Sequence, residues 1–367
     1  MTQRIFIKGN DALALGALKS GLEFFAGYPI TPASEIPEYL ATQYQTDQAR
    51  IQSGEDPEYP GFSFVQAESE VAAINMVLGA ASTGARSMTG SSSPGISLKM
   101  EGVSYIHGSQ LPGVVINVMR GGPGLGNIAP EQSDYAQAVK GGGHGNYRNI
   151  VLAPHTIQEM YDTMPLAFDL AYKYRNLVFI LVDGCLGQMQ ESIIPHPIER
   201  PGKHDTADWA VDGDPDRPRR AITSLYIVES RLEQHNLMLK AKYDRIQAAE
   251  TRAEAYMVDD AEIVCVAYGI VARIVKSAID ALRANGVKVG LVRPQTLWPF
   301  PTTAFDDTIE TAKAYLAVEL SLGQMVEDVR LTVNGRRDVD LLFRTGGMLP
   351  TVTEVAERLT AMVARYA

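Results

Sequence analysis

Short apolar runs alternate with longer helical patterns along most of this 367-residue chain, and this alternation constrains the fold more than any other feature. Several of the runs are almost wholly apolar, as strands covered on both faces must be. We therefore predict an α/β fold with a doubly wound, mostly parallel sheet. The strands predicted in the first half are residues 4–7, 62–66, 87–89, 113–119, 149–152 and 178–182.

The composition changes after residue 192, where prolines and charged residues become dense before a helical stretch at 229–256. This pattern is typical of a linker followed by a helix that crosses a surface. The alternation then resumes, with predicted strands at 262–267, 287–292, 314–319 and 338–343. We predict a first α/β domain at 1–192, a linker with a crossing helix at 193–259, and a smaller second α/β domain at 260–367.

Charge and hydropathy exclude several functions. The formal net charge is −10, so a nucleic-acid binder would have to hide a basic face inside an acidic whole. Apolar stretches such as 177–182 are far shorter than the roughly 20 residues of a membrane helix. The N-terminus lacks the charged-then-apolar pattern of a secretory signal. We expect a cytoplasmic protein that binds neither nucleic acid nor membrane.

The two cysteines, Cys185 and Cys265, lie far apart and lack CxxC spacing. Alone they cannot hold an iron–sulfur cluster or a cysteine-rich zinc site. The six histidines show no metal-ligand spacing either. We predict no metal site in this chain, and any redox chemistry must take place elsewhere.

The first candidate site is the segment GYPITP, which follows an apolar stretch and precedes a helical pattern. Its prolines restrict the backbone, so the Thr31 hydroxyl and the Pro29 carbonyl point in defined directions. Local chemistry alone favours a plainer interpretation, in which Thr31 is a helix N-cap and Pro32 follows as the first helical residue.

The second candidate is the segment QAESEVAAI, where a strand passes into a helix. At helical spacing Glu70 is followed by apolar residues, whereas Glu68 is followed by Ala, Asn and Gly, so we expect Glu70 to point inward. A carboxyl group there loses hydration and can hold or share a proton near neutral pH. The alternative is that both acids only complement the helix dipole.

The third candidate is the segment MRGGPGLGN at the end of the apolar run 113–119. It matches neither a Walker motif nor G-x-G-x-x-G, so it does not indicate a nucleotide site. Arg120 stands at a strand end among glycines, where a ligand can approach closely, and bidentate carboxylate binding suits a guanidinium. The alternative is an arginine in a structural ion pair.

These three segments in this order resemble the α-type subunit of the 2-oxoacid:ferredoxin oxidoreductases, which carries the pyrimidine-binding domain for thiamine diphosphate. The likeness spans essentially the whole chain and is closest to the branched-chain type, which acts on 3-methyl-2-oxobutanoate (2-oxoisovalerate). The second domain resembles the C-terminal domain of transketolase-type enzymes. The segments that carry the resemblance are GYPITPASEIPEYL, QAESEVAAINMVLGAASTGARSMTGSSSPGISL, RGGPGLGNIAPEQSDY, KGGGHGNYRNIVLAP, VDGCLGQMQE, TLWPFP and GQMVEDVRL.

The resemblance implies roles for the candidate residues. Glu70 is similar to the acid that hydrogen-bonds the aminopyrimidine ring of the cofactor. Thr31, with Pro29 in the same turn, is similar to the cofactor-binding hydroxyl that faces the substrate. Arg120 is similar to the residue that holds the 2-oxoacid carboxylate. The implied reaction is oxidative decarboxylation of the 2-oxoacid with coenzyme A, giving an acyl thioester, carbon dioxide and reduced ferredoxin.

The resemblance also implies partners, because this chain has no GDG motif with a downstream Asn pair for magnesium and diphosphate. A β-type subunit would supply the Mg²⁺-diphosphate half of the site and a [4Fe–4S] cluster. A ferredoxin-like δ subunit would supply further clusters, and a γ subunit would complete the coenzyme A site. We therefore expect an enzyme that is active only as a heteromer.

Three alternatives stay open on the sequence. The same mechanism could act on 2-oxoglutarate, pyruvate or an aryl 2-oxoacid, since one or two methylene groups change binding by only about 1–3 kcal/mol. The chain could be a non-catalytic scaffold that kept the fold. It could also be a free-standing thiamine or nucleotide enzyme, in which case it would bind cofactor tightly without a partner.

Overall fold

The computed structural model describes residues 4–367 except 199–205, 212, 214 and 217. In the first half the strands are Ile5–Lys8 (β1), Phe24–Gly27 (β2), Ser63–Gln66 (β3), Ser87–Ser91 (β4), Gly113–Met119 (β5), Ile150–Leu152 (β6), Leu177–Asp183 (β7) and Gln190–Ile193 (β8). The helices there are Gly9–Lys19 (α1), Glu35–Gln52 (α2), Glu70–Ser82 (α3), Ser93–Gly108 (α4), Tyr135–Val139 (α5), Ile157–Tyr174 (α6) and Gly184–Gln188 (α7).

The later part of the chain begins with a long helix and continues as a second α/β unit. Its strands are Ala253–Tyr256 (β9), Ile263–Val266 (β10), Val289–Pro294 (β11), Thr296–Trp298 (β12), Ala314–Glu319 (β13) and Asp338–Phe343 (β14). Its helices are Glu229–Ala249 (α8), Gly269–Arg283 (α9), Asp306–Thr311 (α10), Met325–Val333 (α11) and Val352–Arg365 (α12). Within the described ranges, no helix is long and apolar enough to cross a bilayer.

The larger sheet has seven strands in the order β12-β6-β7-β5-β4-β2-β3, and all neighbours except β12 and β6 run parallel. Strands β5 and β7 at its centre are completely buried, which explains their continuous apolar sequence. The chain passes from β2 outward to β3, whereas β4 leads to β5 in the opposite direction. The order reverses between β2 and β4, where open α/β sheets bind ligands beyond the carboxyl ends of their strands.

The smaller sheet has five strands in the order β14-β13-β10-β11-β9, with β9 antiparallel to β11. The predicted helix over 229–256 is wrong at its end, because α8 stops at Ala249 and residues 253–256 pair with β11 as an edge strand. Strand β12 leaves this unit and pairs with β6 of the larger sheet. The domain limits at 192/193 and 259/260 stay predictions, and part of the predicted linker lies outside the described residues.

The smaller unit is anchored to the loop that follows β5. Gln132 is completely buried, and its backbone N–H donates to the Leu320 carbonyl (2.8 Å). Its side-chain Oε1 accepts from the Leu320 N–H (3.0 Å). Its side-chain amide also donates to the Tyr268 carbonyl (3.1 Å). The neighbouring Glu131 accepts from the Thr345 hydroxyl and the Gly346 N–H, each at 2.7 Å. The second unit therefore fixes the loop that contains the glycine-rich segment.

Candidate active site

The candidate residues meet at the carboxyl edge of the larger sheet. Thr31 follows β2, and Arg120 follows β5 directly. The Arg120 guanidinium reaches across this edge and donates through Nη1 to the Thr31 carbonyl (2.8 Å). The structure therefore brings two of the sequence-predicted residues into contact, although 89 positions separate them in the chain.

Glu70 opens α3 and points inward, as the helical pattern indicates. The N-cap is Ser69, whose hydroxyl accepts from the Ala72 N–H (3.2 Å), so the chain turns abruptly from the strand into the helix. Glu70 is 5% exposed, whereas Glu68 lies on the surface. The Glu70 carboxyl packs against Gly95 of α4, where a side-chain carbon would lie 2.5 Å from Oε1. Only glycine leaves room for the carboxyl at this contact.

The other buried acids near this edge are satisfied by the protein itself. The Glu319 carboxyl accepts from three backbone N–H groups and the Ser321 hydroxyl. Asp183 accepts from the Leu186 and Ile270 N–H groups, and burial raises its pKa to about 6. Among the described residues, none donates a hydrogen bond to the Glu70 carboxyl. Glu70 differs from these acids in this respect, although it also lies in the first turn of α3, where the dipole interpretation places it.

Further buried polar atoms at the same edge have no hydrogen-bond partner in the described part of the chain. They are Ser91 Oγ, Ser92 Oγ, Asn117 Oδ1 and Arg120 Nε. Native structures pair most such groups, because an unpaired buried donor or acceptor costs about 1–3 kcal/mol. Ser91 Oγ also lies beside Gly95, the residue that packs on the Glu70 carboxyl. A polar ligand at this edge would satisfy these atoms.

Arg120 is held by backbone groups rather than by a counter-ion. Besides the Thr31 carbonyl, its guanidinium contacts the Leu125 carbonyl (3.3 Å). No ion pair of Arg120 is found among the described residues, so the structural ion-pair alternative is wrong for this part of the chain. The guanidinium is thus bound only by two neutral backbone carbonyls. A carboxylate of a ligand binds a guanidinium more strongly and can replace them.

The backbone of Arg120 is fixed by residues that the sequence analysis missed. Its N–H donates to the Ser93 hydroxyl (3.1 Å), which in turn donates to Asp134 (2.6 Å). Asp134 also accepts from the Asn117 side-chain amide (2.8 Å), and burial raises the pKa of this carboxyl. The triplet SSS before Pro94 is the signal that could have indicated the role of Ser93, but such runs are usually turns.

The N-cap interpretation of Thr31 is wrong. Helix α2 begins only at Glu35, because residues 30–33 form a separate turn in which the Ala33 N–H donates to the Ile30 carbonyl (2.8 Å). The Thr31–Pro32 peptide is cis. Thr31 is exposed at the mouth of the site, and Pro29 before it is exposed as well.

A cleft of about 430 Å³ lies beside Arg120, between the glycine-rich loop and the second unit. It is lined by the residues that follow Arg120, by the start of α4, and by residues of the loop after β13. No group of three histidine, cysteine or acidic side chains that could hold a metal ion occurs among the residues that the structure describes. The residues that line the cleft include Ser93, Gly121, Glu131, Asp134, Leu322 and Gln324.

Comparisons with known proteins identify the family of the chain. The family described as pyruvate flavodoxin/ferredoxin oxidoreductase, thiamine diphosphate-binding, matches residues 15–256, and pyruvate:ferredoxin oxidoreductase core domain II matches residues 261–355. The chain belongs to the 2-oxoacid:ferredoxin oxidoreductase family. The predicted family, fold class and enzyme class are thereby confirmed.

Two curated members of the family match nearly the whole chain. The ketoisovalerate oxidoreductase subunit VorB of Methanothermobacter thermautotrophicus is 49% identical over 355 residues, which is 96% of each protein. The 2-oxoglutarate synthase subunit KorA of Methanothermobacter marburgensis is 36% identical over 388 residues, covering 99% of this chain and 100% of its own.

Two solved structures are also similar. The 2-oxoglutarate:ferredoxin oxidoreductase of Magnetococcus marinus, solved with 2-oxoglutarate, coenzyme A and succinyl-CoA bound, superposes with a TM-score of 0.84 at 29% identity. That match covers 98% of this chain but only 65% of the other. An inactive tetrameric split-gene transketolase gives a TM-score of 0.57 at 10% identity, covering 98% and 99% of the two chains, and shows the fold alone.

The residues at this edge fit the aminopyrimidine half of thiamine diphosphate, which the oxidoreductase family binds. The Glu70 carboxyl has no hydrogen-bond donor among the described residues and meets the unpaired Ser91 hydroxyl at Gly95, and the unpaired Ser92 hydroxyl follows Ser91 in the chain. A heterocycle with ring nitrogens and an amino group can pair with all three. The individual roles of Thr31, Pro29, Glu70 and Arg120 stay predictions.

We predict that Gly95→Ala abolishes cofactor binding and costs about 1–3 kcal/mol of stability, because the added methyl would also lie 2.1 Å from Ser91 Oγ. The added methyl would displace the Glu70 carboxyl, because it would lie 2.5 Å from Oε1. The matched control is Gly79→Ala on the exposed face of α3, where a methyl meets nothing within 4 Å and should stabilise the helix by about 0.5–1 kcal/mol. Thiamine diphosphate binding to the assembled enzyme and thermal unfolding measure both effects. Normal binding by the Gly95 variant would contradict the prediction.

Proposed function

We propose that the chain is the α-type subunit of a thiamine diphosphate-dependent oxidoreductase that converts 2-oxoisovalerate and coenzyme A to the acyl-CoA, carbon dioxide and reduced ferredoxin. The observation that carries this proposal is the buried Glu70 carboxyl, which lacks a hydrogen bond from any described residue. A protein tolerates such a group where a ligand completes it.

Glu70 would act by holding a proton at the ring nitrogen of the cofactor's aminopyrimidine. The bound cofactor supplies an electron sink for the carbanion that remains when the substrate loses carbon dioxide. Burial strengthens the hydrogen bond of Glu70, since few water molecules compete for it. Its contact with Gly95 fixes the carboxyl in one direction.

Arg120 would orient the 2-oxoacid by its carboxylate. The guanidinium already stands at the end of β5 with its Nε unpaired and with only carbonyl acceptors on Nη1 and Nη2. A carboxylate makes stronger, charge-assisted bonds and would displace at least one of these carbonyls. Because a tight grip would stabilise the ground state too, the benefit lies mainly in positioning.

A second subunit would complete the site. Large apolar side chains are exposed around it, with exposed fractions of 84% for Leu125, 75% for Leu322 and 62% for Ile128. A patch of this kind beside a polar cleft is typical of a protein interface. We propose that a β-type subunit covers it and supplies Mg²⁺, the diphosphate site and a [4Fe–4S] cluster, and that γ and ferredoxin-like δ subunits and ferredoxin complete the system.

The cleft beside Arg120 favours an apolar 2-oxoacid over 2-oxoglutarate. Its lining includes the carboxyl groups of Glu131 and Asp134, and no lysine or arginine among the described residues. These carboxyl groups would repel the second carboxylate of 2-oxoglutarate. The higher identity to the ketoisovalerate subunit (49%) than to the 2-oxoglutarate subunit (36%) supports the same choice.

The substrate proposal is tested by steady-state rates of the complete enzyme with 2-oxoisovalerate, 2-oxoglutarate, pyruvate and phenylpyruvate under equal conditions. We expect the highest kcat/KM with 2-oxoisovalerate, and at least about tenfold less with 2-oxoglutarate, which corresponds to about 1.4 kcal/mol. Faster turnover of 2-oxoglutarate would reject the choice of substrate but leave the reaction class intact.

For Arg120→Ala we expect KM for the 2-oxoacid to rise by about 10²-fold, because a hydrogen bond between charged groups contributes about 1.5–3 kcal/mol. KM for coenzyme A should change by less than about threefold, since Arg120 lies at the 2-oxoacid end of the site in this proposal. Kinetics with each substrate varied in turn separate the two effects. Equal increases in both KM values would argue against a carboxylate-binding role.

A further inference from the structure

Another cavity, of about 630 Å³, opens between the ends of α6 and α8, and we call it the basic pocket. Among the described residues that line it none is acidic, and the basic ones are Lys173, Arg175, Lys242 and Arg245. Such a cluster is unexpected in a chain whose formal net charge is −10. Cations that line one concave surface repel each other unless an anion neutralises them.

Lys242 is the most buried of these cations, with an exposed fraction of 4%. Its Nζ donates to the Arg175 backbone carbonyl (3.0 Å), and no ion pair of Lys242 occurs among the described residues. Burial, together with the guanidiniums of Arg175 and Arg245, lowers the pKa of Lys242 to about 7. Both arginines therefore lie close enough to act on the ammonium.

The guanidinium of Arg175 is fixed in place but not neutralised. It packs on the Trp209 ring, with 4.8 Å between Cζ and the ring centroid, and its Nε donates to the Gln110 carbonyl (2.9 Å). No described residue accepts a hydrogen bond from its Nη1 or Nη2. Arg245 is exposed and makes no hydrogen bond or ion pair with a described residue. Two guanidinium groups are thus available to a ligand.

The acids around the basic pocket do not neutralise it. The Glu250 carboxyl accepts from Lys173 (2.6 Å) but also from Arg252 (2.9 Å), so one carboxylate serves two cations. Asp208 is exposed, and its charge acts on Arg175. The two lining cations on α8 remain without an acidic partner in the part of the chain that the structure describes.

A plainer interpretation is that these cations complement the end of α6, where the last carbonyls carry partial negative charge. It accounts for the hydrogen bond from Lys242 to the Arg175 carbonyl. It does not account for the cavity, nor for the two arginines, because among the described residues neither guanidinium bonds a carbonyl of α6.

We propose that the basic pocket binds a phosphate group, either of inorganic phosphate or of a small phosphorylated metabolite. Guanidinium groups bind phosphate oxygens in a bidentate manner, and an ammonium adds a compact point charge. The occupant is small, because the most buried cation of the pocket, Lys242, is out of reach of an acidic patch on a flat protein surface.

The basic pocket is separate from the candidate active site. Gln110 and Arg175 stand just before β5 and β7, at the amino edge of the larger sheet. Arg120 follows β5 at the carboxyl edge, so the length of β5, about 20 Å, separates the two sites. The phosphate site therefore does not depend on the proposed role of Glu70.

The test is equilibrium dialysis of the heteromeric enzyme, saturated with thiamine diphosphate and Mg²⁺, against radiolabelled inorganic phosphate at constant ionic strength. We expect the wild type to hold one phosphate per α-type chain in the basic pocket. Arg245→Gln should lower the affinity of this site about tenfold or more, because it removes a charge-assisted contact. The matched control is Lys240→Gln, which removes the same charge from an exposed ion pair on α8 outside the pocket and should keep the wild-type affinity.

A second variant and a competitor sharpen the result. Lys242→Met removes the buried charge and should abolish binding, while thermal unfolding in chloride buffer shows that it is folded. Unlabelled glycerol 3-phosphate should displace the labelled phosphate. Tighter binding of this monoester than of phosphate would indicate a phosphorylated metabolite as the natural occupant, and weaker binding would indicate phosphate itself.

Three results would overturn the proposal. The first is equal phosphate affinity in the wild type and Arg245→Gln. The second is an equal loss in Lys240→Gln, which would reveal general charge screening and an adventitious ion only. The third is no phosphate at this site together with dissociation of subunits in Arg245→Gln, which would indicate an acidic segment of a partner protein. Since coenzyme A carries phosphates, a rise of its KM beyond about threefold in Arg245→Gln would contradict a separate site.

Discussion

The close packing of α4 on the start of α3 is the constraint on which the site depends. Gly95 and Gly102 let the two helices approach, and the Glu70 carboxyl is enclosed where they meet. The enclosure leaves Glu70 only 5% exposed and gives its carboxyl no hydrogen-bond donor among the described residues. A buried group of this kind costs stability in the isolated chain, and in the proposed function the bound cofactor would compensate it.

Local patterns predicted much of the fold and part of the site. The apolar run of β5 and the stripe behind Glu70 depend only on neighbours in the sequence, so the strand, the helix and the inward direction of Glu70 could be predicted. The contact of Arg120 with the Thr31 carbonyl joins residues 89 positions apart and could not. The complete burial of Lys99 in α4 also escaped prediction, because a lysine in a helical pattern usually marks a solvated face.

The parts that sequence analysis missed are those that depend on pairing between distant segments. Strand β9 has the composition Ala-Glu-Ala-Tyr, which suits the end of a helix, and only its edge position beside β11 makes it a strand. Strand β12 belongs in sequence to the second unit but pairs with β6. Strand β12 attaches the second unit to the larger sheet, and Gln132 attaches it to the loop after β5 that contains the glycine-rich segment.

The most direct measurement is a cryo-electron microscopy structure of the assembled enzyme with thiamine diphosphate bound. The account predicts that a Glu70 carboxyl oxygen lies about 2.8 Å from a ring nitrogen of the aminopyrimidine, with the diphosphate held by another subunit. An aminopyrimidine bound elsewhere, with Glu70 paired only to protein groups or open to water, would contradict it.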